Sequence, residues 1–146
     1  MRFQGRIFKD GRYWLAEVAV FDALTQGRTR ADALDMMSDW FATMLGSTSG
    51  SVRTIAVSRT DFEIVATDAK AMISLLLRRQ RQKSGLSLAE AAARLGARSR
   101  NAYARYEQGR TVPTVAKLDE LLRAIAPDRD LLVGQSKAAC ARPCVD

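Results

Sequence analysis

The stretch LSLAEAAARLGARSRNAYARYEQGRTVP, residues 86–113, decides how the C-terminal half of this chain folds. Ser87 precedes Glu90 by three residues. At that spacing a serine hydroxyl accepts from the third amide of a helix while the glutamate reaches back to the serine amide, so a helix is predicted to start there. Its side chains are small: Ala89, Ala91, Ala92 and Ala93 leave room for a second helix to cross close by, and Leu95-Gly96 supplies an apolar anchor and a turn. Ser99 is the expected cap of the next helix, which should run through Gln108 and stop at Gly109. On it Tyr103 and Tyr106 share one face and should point inward, while Asn101 and Arg105 share another and Arg100 lies at the exposed start.

That outward face has a chemistry. An arginine can donate twice to guanine O6 and N7, and an asparagine can pair with adenine N6 and N7. Arg100, Asn101, Ala102 and Arg105 are therefore the expected base-reading residues. Ser87, Ser99, Arg110 and Thr111 are the expected phosphate contacts, helped by amides at helix N-termini. The competing reading, solubilising residues on an ordinary bundle, is disfavoured by the order of elements, which is a helix-turn-helix layout.

Working outward, Ala69–Lys83 reads as a preceding helix, with Met72, Ile73, Leu75, Leu76 and Leu77 as its apolar part, arginines near its end and Gly85 closing it. Charge points the same way. Residues 1–69 carry a net −1 and residues 70–146 a net +8, and the segment 78–110 alone holds nine Lys and Arg against Glu90 and Glu107. Such a local excess suggests a polyanion as partner.

The N-terminal half has a different pattern. Arg2–Phe8 is extended-friendly and Asp10-Gly11 favours a tight turn. A returning strand Arg12–Val20 puts Trp14, Ala16, Val18 and Val20 on one face, and Ala23–Gln26 can form a third strand before Gly27. Thr29 with Asp32 is a second capping pair, opening a helix whose stripe is Leu34, Met37, Phe41 and Met44, widened by Trp40. Residues 46–50 read as a loop, after which Val52–Val57 and Phe62–Ala66 are each strand-like and at least one should complete the sheet. The expected fold class is α+β, with a β-β-β-α-β domain over 1–68, an all-α domain over 69–127 and a tail over 128–146.

Catalysis is not expected. A metal-dependent nuclease needs converging carboxylates, yet Asp10 belongs to a turn, Asp22 follows a strand, and Asp32, Asp35 and Asp39 lie off the apolar stripe of their helix. With no histidine in the chain, the commonest general base is absent. Neither a metal nor a cofactor is expected; Cys140 and Cys144 lie in the tail beside Pro143 and are read as unstructured. Nothing resembles a signal peptide or an apolar membrane span, so a cytoplasmic location is expected.

Leu86–Gly96, then Tyr103-Ala-Arg-Tyr-Glu-Gln-Gly109 with Arg110 to Pro113, then Leu118, Leu121 and Leu122 resemble the Cro/XRE-type helix-turn-helix. Leu88 stands where that family usually has a glutamine that contacts DNA, and Gly96 to Glu107 is one residue longer than the usual spacing. The whole arrangement, through Arg6–Val18, Gln26–Leu34 and Ser99–Gly109, resembles the HicB-type antitoxins, although Phe21-Asp-Ala-Leu replaces their usual Pro-Gly-Cys step. The resemblance implies a partial RNase H-like N-terminal domain that covers a HicA-type mRNA-cleaving toxin, and a C-terminal domain that binds operator double-stranded DNA and represses its own operon. A homodimer is also expected, with a tetramer as the further alternative, because one such module makes too few base contacts alone. The rival expectation is a stand-alone regulator whose N-terminal domain dimerises or senses a ligand.

Overall fold

The computed structural model describes residues 1–46 and 51–135. Cys140, Cys144 and most of the 46–50 loop lie outside the described residues. In order the elements are β1 (Arg2–Asp10), β2 (Tyr13–Val18), a 3-10 turn (Ala19–Phe21), β3 (Ala23–Gly27), α1 (Arg30–Leu45), β4 (Val52–Ala56), β5 (Asp61–Ala66), α2 (Ala69–Lys83), α3 (Leu88–Arg94), α4 (Asn101–Glu107) and α5 (Val115–Ile125). The fold is α+β: a five-stranded sheet in the order β3-β2-β1-β5-β4, antiparallel throughout, followed by helices.

The β-β-β-α-β expectation is one strand short, because both candidate segments after α1 are strands. What joins them is a tight polar turn. The Val57 and Ser58 amides both donate to the Asp61 carbonyl at 3.0 and 3.1 Å, and the Asp61 amide donates to the Ser58 hydroxyl at 3.0 Å. The Ser58 and Thr60 hydroxyls also hold the Asp61 carboxyl below its usual range.

β2 is likewise shorter than expected. In a strand continued to Val20, the next residue, Phe21, would stand on the face opposite Ala16 and Val18. Instead the chain coils at Ala19–Phe21 and Phe21 becomes fully buried. Its ring makes edge contacts with Phe3 (centroids 4.8 Å apart) and Phe41 (4.9 Å). This aromatic row joins β1 to α1 and lies with Ile7, Val18, Ile64 and Met37 at the centre of the core.

α1 begins as the capping pair predicts: the Thr29 hydroxyl accepts from the Asp32 amide at 3.1 Å, and the Asp32 carboxylate accepts from the Thr29 amide at 3.0 Å. Leu34, Met37 and Phe41 are buried on its sheet-facing stripe. α2 has the bounds read from sequence, with all five of its expected apolar side chains buried. A single cluster of buried residues runs from the sheet through α2 to α5.

β1 packs closely on β5 at Gly5, whose cross-strand partner is the fully buried Phe62. A methyl group at Gly5 would enter the Phe62 ring, which has no exposed side to move into. Gly5→Ala is expected to lower stability by about 2 kcal/mol, read as a reduced midpoint in urea unfolding with an unchanged slope.

Candidate nucleic-acid interface

Each of the first three C-terminal helices ends in the same way. Gly85, Gly96 and Gly109 sit at φ +68, +73 and +65, a region that favours glycine. The residue after each glycine donates back five positions: Leu86 to the Arg81 carbonyl, Ala97 to Ala92 and Arg110 to Arg105. Each glycine amide also bonds to a carbonyl three residues back, which completes a Schellman termination. α3 starts with the predicted capping box, Glu90 amide to Ser87 hydroxyl at 3.2 Å and Ser87 amide to Glu90 carboxylate at 2.8 Å. These bonds hold the Glu90 carboxyl below its usual range, the amide first and the hydroxyl second. A negative charge thus occupies the start of α3.

α4 has the inward face expected of it. Tyr103 is fully buried and its hydroxyl donates to the Leu77 carbonyl at 3.2 Å. Tyr106 is buried, and its carbonyl accepts from the Ser74 hydroxyl at 2.9 Å. One expected detail differs. The helix cap is Arg100, in helical conformation and without a side-chain cap bond, not Ser99. Ser99 still serves the first turn, because its hydroxyl accepts from the Asn101 amide at 3.3 Å. The first turn closes through three-residue bonds, the Ala102 amide to the Ser99 carbonyl at 3.0 Å and the Tyr103 amide to the Arg100 carbonyl at 3.2 Å.

Holding α4 against α2 is an ion pair that sequence reasoning missed. Arg81 Nε and Nη2 donate to the two Glu107 carboxylate oxygens at 2.7 and 3.0 Å, and Arg81 Nη1 donates to the Leu86 carbonyl at 2.7 Å. The side chains are only 14% and 7% exposed. Both residues were visible in sequence, one in the arginine cluster and the other in the Glu-x-Gly ending; their pairing across 26 positions was not.

The structure sorts the nine cations of residues 78–110 into two groups. Arg78 donates to the Met44 carbonyl, Arg79 to the Phe21 and Asp22 carbonyls, Arg81 to Glu107, and Arg94 to the Ala124 carbonyl, while Lys83 pairs with Asp22. Arg98, Arg100, Arg105 and Arg110 are exposed, and among the described residues none has an acidic partner. Arg105 leans on the neighbouring ring of Tyr106, its guanidinium carbon 5.1 Å from the centroid.

Of the residues singled out in sequence, Arg100, Asn101 and Arg105 are exposed on α4 and Ala102 is half-exposed beside them. Ser99 adjoins them, and Arg110 and Thr111 are drawn against the other end of α4 by amide bonds to the Arg105 carbonyl at 2.9 and 3.3 Å. Ser87 is exposed at the start of α3, which packs on α4. Arg98, in the turn between the two helices, belongs with this surface and was left out of the sequence expectation; its place in the basic run was the only signal.

Two outcomes follow from the buried side of α4. Arg81→Met leaves the Glu107 carboxylate buried without its partner and is expected to cost about 3 kcal/mol in urea unfolding, much of it recovered by adding Glu107→Leu. Burial, and then the nearby Glu107 charge, push the Tyr103 phenol well above its ordinary value. A raised value in the folded state means that its contribution is complete below about pH 10 and is lost as pH rises beyond that. Tyr103→Phe should therefore cost about 1 kcal/mol near neutrality and remove this alkaline slope, measured by unfolding across pH 8 to 11.

Residues 73–132 match the model of a helix-turn-helix domain family, a match that begins inside α2 and ends beyond α5. No curated protein matches the chain. No helix among the described residues is long and apolar enough to cross a membrane. The chain carries a DNA-binding helix-turn-helix domain behind an antiparallel sheet.

Proposed function

We propose that this protein is a sequence-specific DNA-binding repressor that lays α4 in a major groove. The observation that carries the reading is the sorting of the cations of residues 78–110: those at the end of α2 and at the end of α3 are bonded to carbonyls or carboxylates of the protein, and those on and around α4 face outward with no acidic partner among the described residues. Arg100, Asn101, Ala102 and Arg105 read bases, and Ser87, Ser99, Arg110 and Thr111 hold phosphates. Two copies act together on half-sites about one helical turn apart.

We infer further that the protein is the antitoxin of a toxin-antitoxin pair, is not an enzyme, and uses its sheet module to cover a HicA-type mRNA-cleaving toxin. What supports this is the resemblance of Arg6–Val18 and Gln26–Leu34 to HicB-type antitoxins, together with a sheet-and-helix unit placed ahead of the helix-turn-helix. In the competing reading the sheet module only dimerises or senses a ligand. Co-expression with a small toxin encoded beside it decides between them: a stable complex that restores growth supports the antitoxin, and growth arrest with no complex supports the stand-alone regulator.

DNA binding has its own test. After selection of bound sequences from random DNA, Arg100→Ala or Asn101→Ala should lose about 1–3 kcal/mol on the selected operator and little on random DNA. Arg110→Ala should weaken both and reduce the salt slope by about one. Equal losses on both DNAs for Arg100→Ala would overturn the base-reading assignment.

A further inference from the structure

α2 is held on two sides. Through Ser74, Leu77 and Arg81 it receives α4, and with the residues between and after these it grips the sheet module. Because β2 stops at Val18 and coils, the carbonyls of Val20, Phe21 and Asp22 have left the sheet ladder and need donors. Two adjacent α2 side chains take all three. Gln80 Nε2 donates to Val20, Arg79 Nε to Phe21 at 2.8 Å and Arg79 Nη2 to Asp22 at 2.8 Å.

Each of these side chains is itself fixed. The Arg79 guanidinium lies 5.5 Å over the Trp40 ring of α1, and the buried Gln80 accepts from Arg129 Nη1 at 3.0 Å. Lys83 adds an ion pair to Asp22 at 3.5 Å, whose backbone is in the left-handed region at φ 52. This bracket adds directional bonds to the apolar packing of α2 against the sheet module.

We propose that Arg79 and Gln80 are positioning residues for DNA recognition, joining the sheet module and the helix-turn-helix into one rigid body, so that operator affinity depends on a bracket that touches no DNA. The proposal rests on the DNA-binding reading above and deepens it. A partner seated on the sheet module is then held at a fixed place relative to α4, and a change at the 20–22 turn is transmitted along α2 to the reading surface.

The test uses the full chain in weakly aligned solution. Residual dipolar couplings of the wild type should fit one alignment tensor for amides of both modules. In Arg79→Ala, and in the nearly isosteric Gln80→Met, they should need two, with affinity for the selected operator down ~10-fold, random-DNA affinity little changed and Arg79→Lys intermediate. Two tensors in the wild type would overturn the proposal, and that measurement stands even if Arg79→Ala fails to fold. So would a single tensor retained in Gln80→Met, or two tensors with unchanged operator affinity. If random DNA yields no selected sequence, the DNA reading fails, and with it the positioning role, while the wild-type tensors still report whether the modules move as one.

Discussion

The bidentate contact between Arg81 and Glu107 is the constraint on which the reading surface depends. α3 and α4 are seven residues each, too short to hold together by themselves in water. Their orientation has to come from tertiary contacts, and dispersion alone fixes angle loosely. A planar guanidinium matched to a carboxylate fixes it tightly, and the third donor, to the Leu86 carbonyl, ties in the α2–α3 connection as well. Desolvating both charges is costly, so the pair contributes specificity of arrangement more than net stability.

The same residues explain why composition overstates the charge offered to a polyanion. Five of the nine cations between Arg78 and Arg110 are used to close helix ends, to donate to turn carbonyls or to neutralise acids. A field averaged over the half-chain would not distinguish these from Arg98, Arg100, Arg105 and Arg110, which are exposed and bonded to neither a backbone carbonyl nor an acid among the described residues. Tyr103 and Tyr106 separate the two populations: their rings form the inner wall of α4 and leave its cationic edge outside.

Local signals were legible. The Thr29–Asp32 and Ser87–Glu90 boxes, the bounds of α2 and the inward tyrosines follow from spacing alone, because each depends on atoms within one or two helical turns. What escaped the sequence is long-range. Alternation could not tell whether one or both segments after α1 join the sheet, since each is short and the 57–60 turn between them gets its rigidity from side-chain bonds to Asp61. Phe21 breaks the alternation of its strand for a reason 20 positions away, the ring of Phe41. The partners of Arg79 and Arg81 lie 58 and 26 positions away.

The bracket between α2 and the 20–22 turn bears on how this chain is taken apart in the laboratory. A fragment cut at residue 68 would lose the donors for its Val20, Phe21 and Asp22 carbonyls, and with them the helix that packs against the 3-10 turn carrying Phe21. A fragment starting at residue 69 would present Met72, Leu76 and their neighbours to water. The hinge that composition draws between an acidic half and a basic half is, in three dimensions, the keystone they share, and whichever piece goes without α2 is left open along one wall.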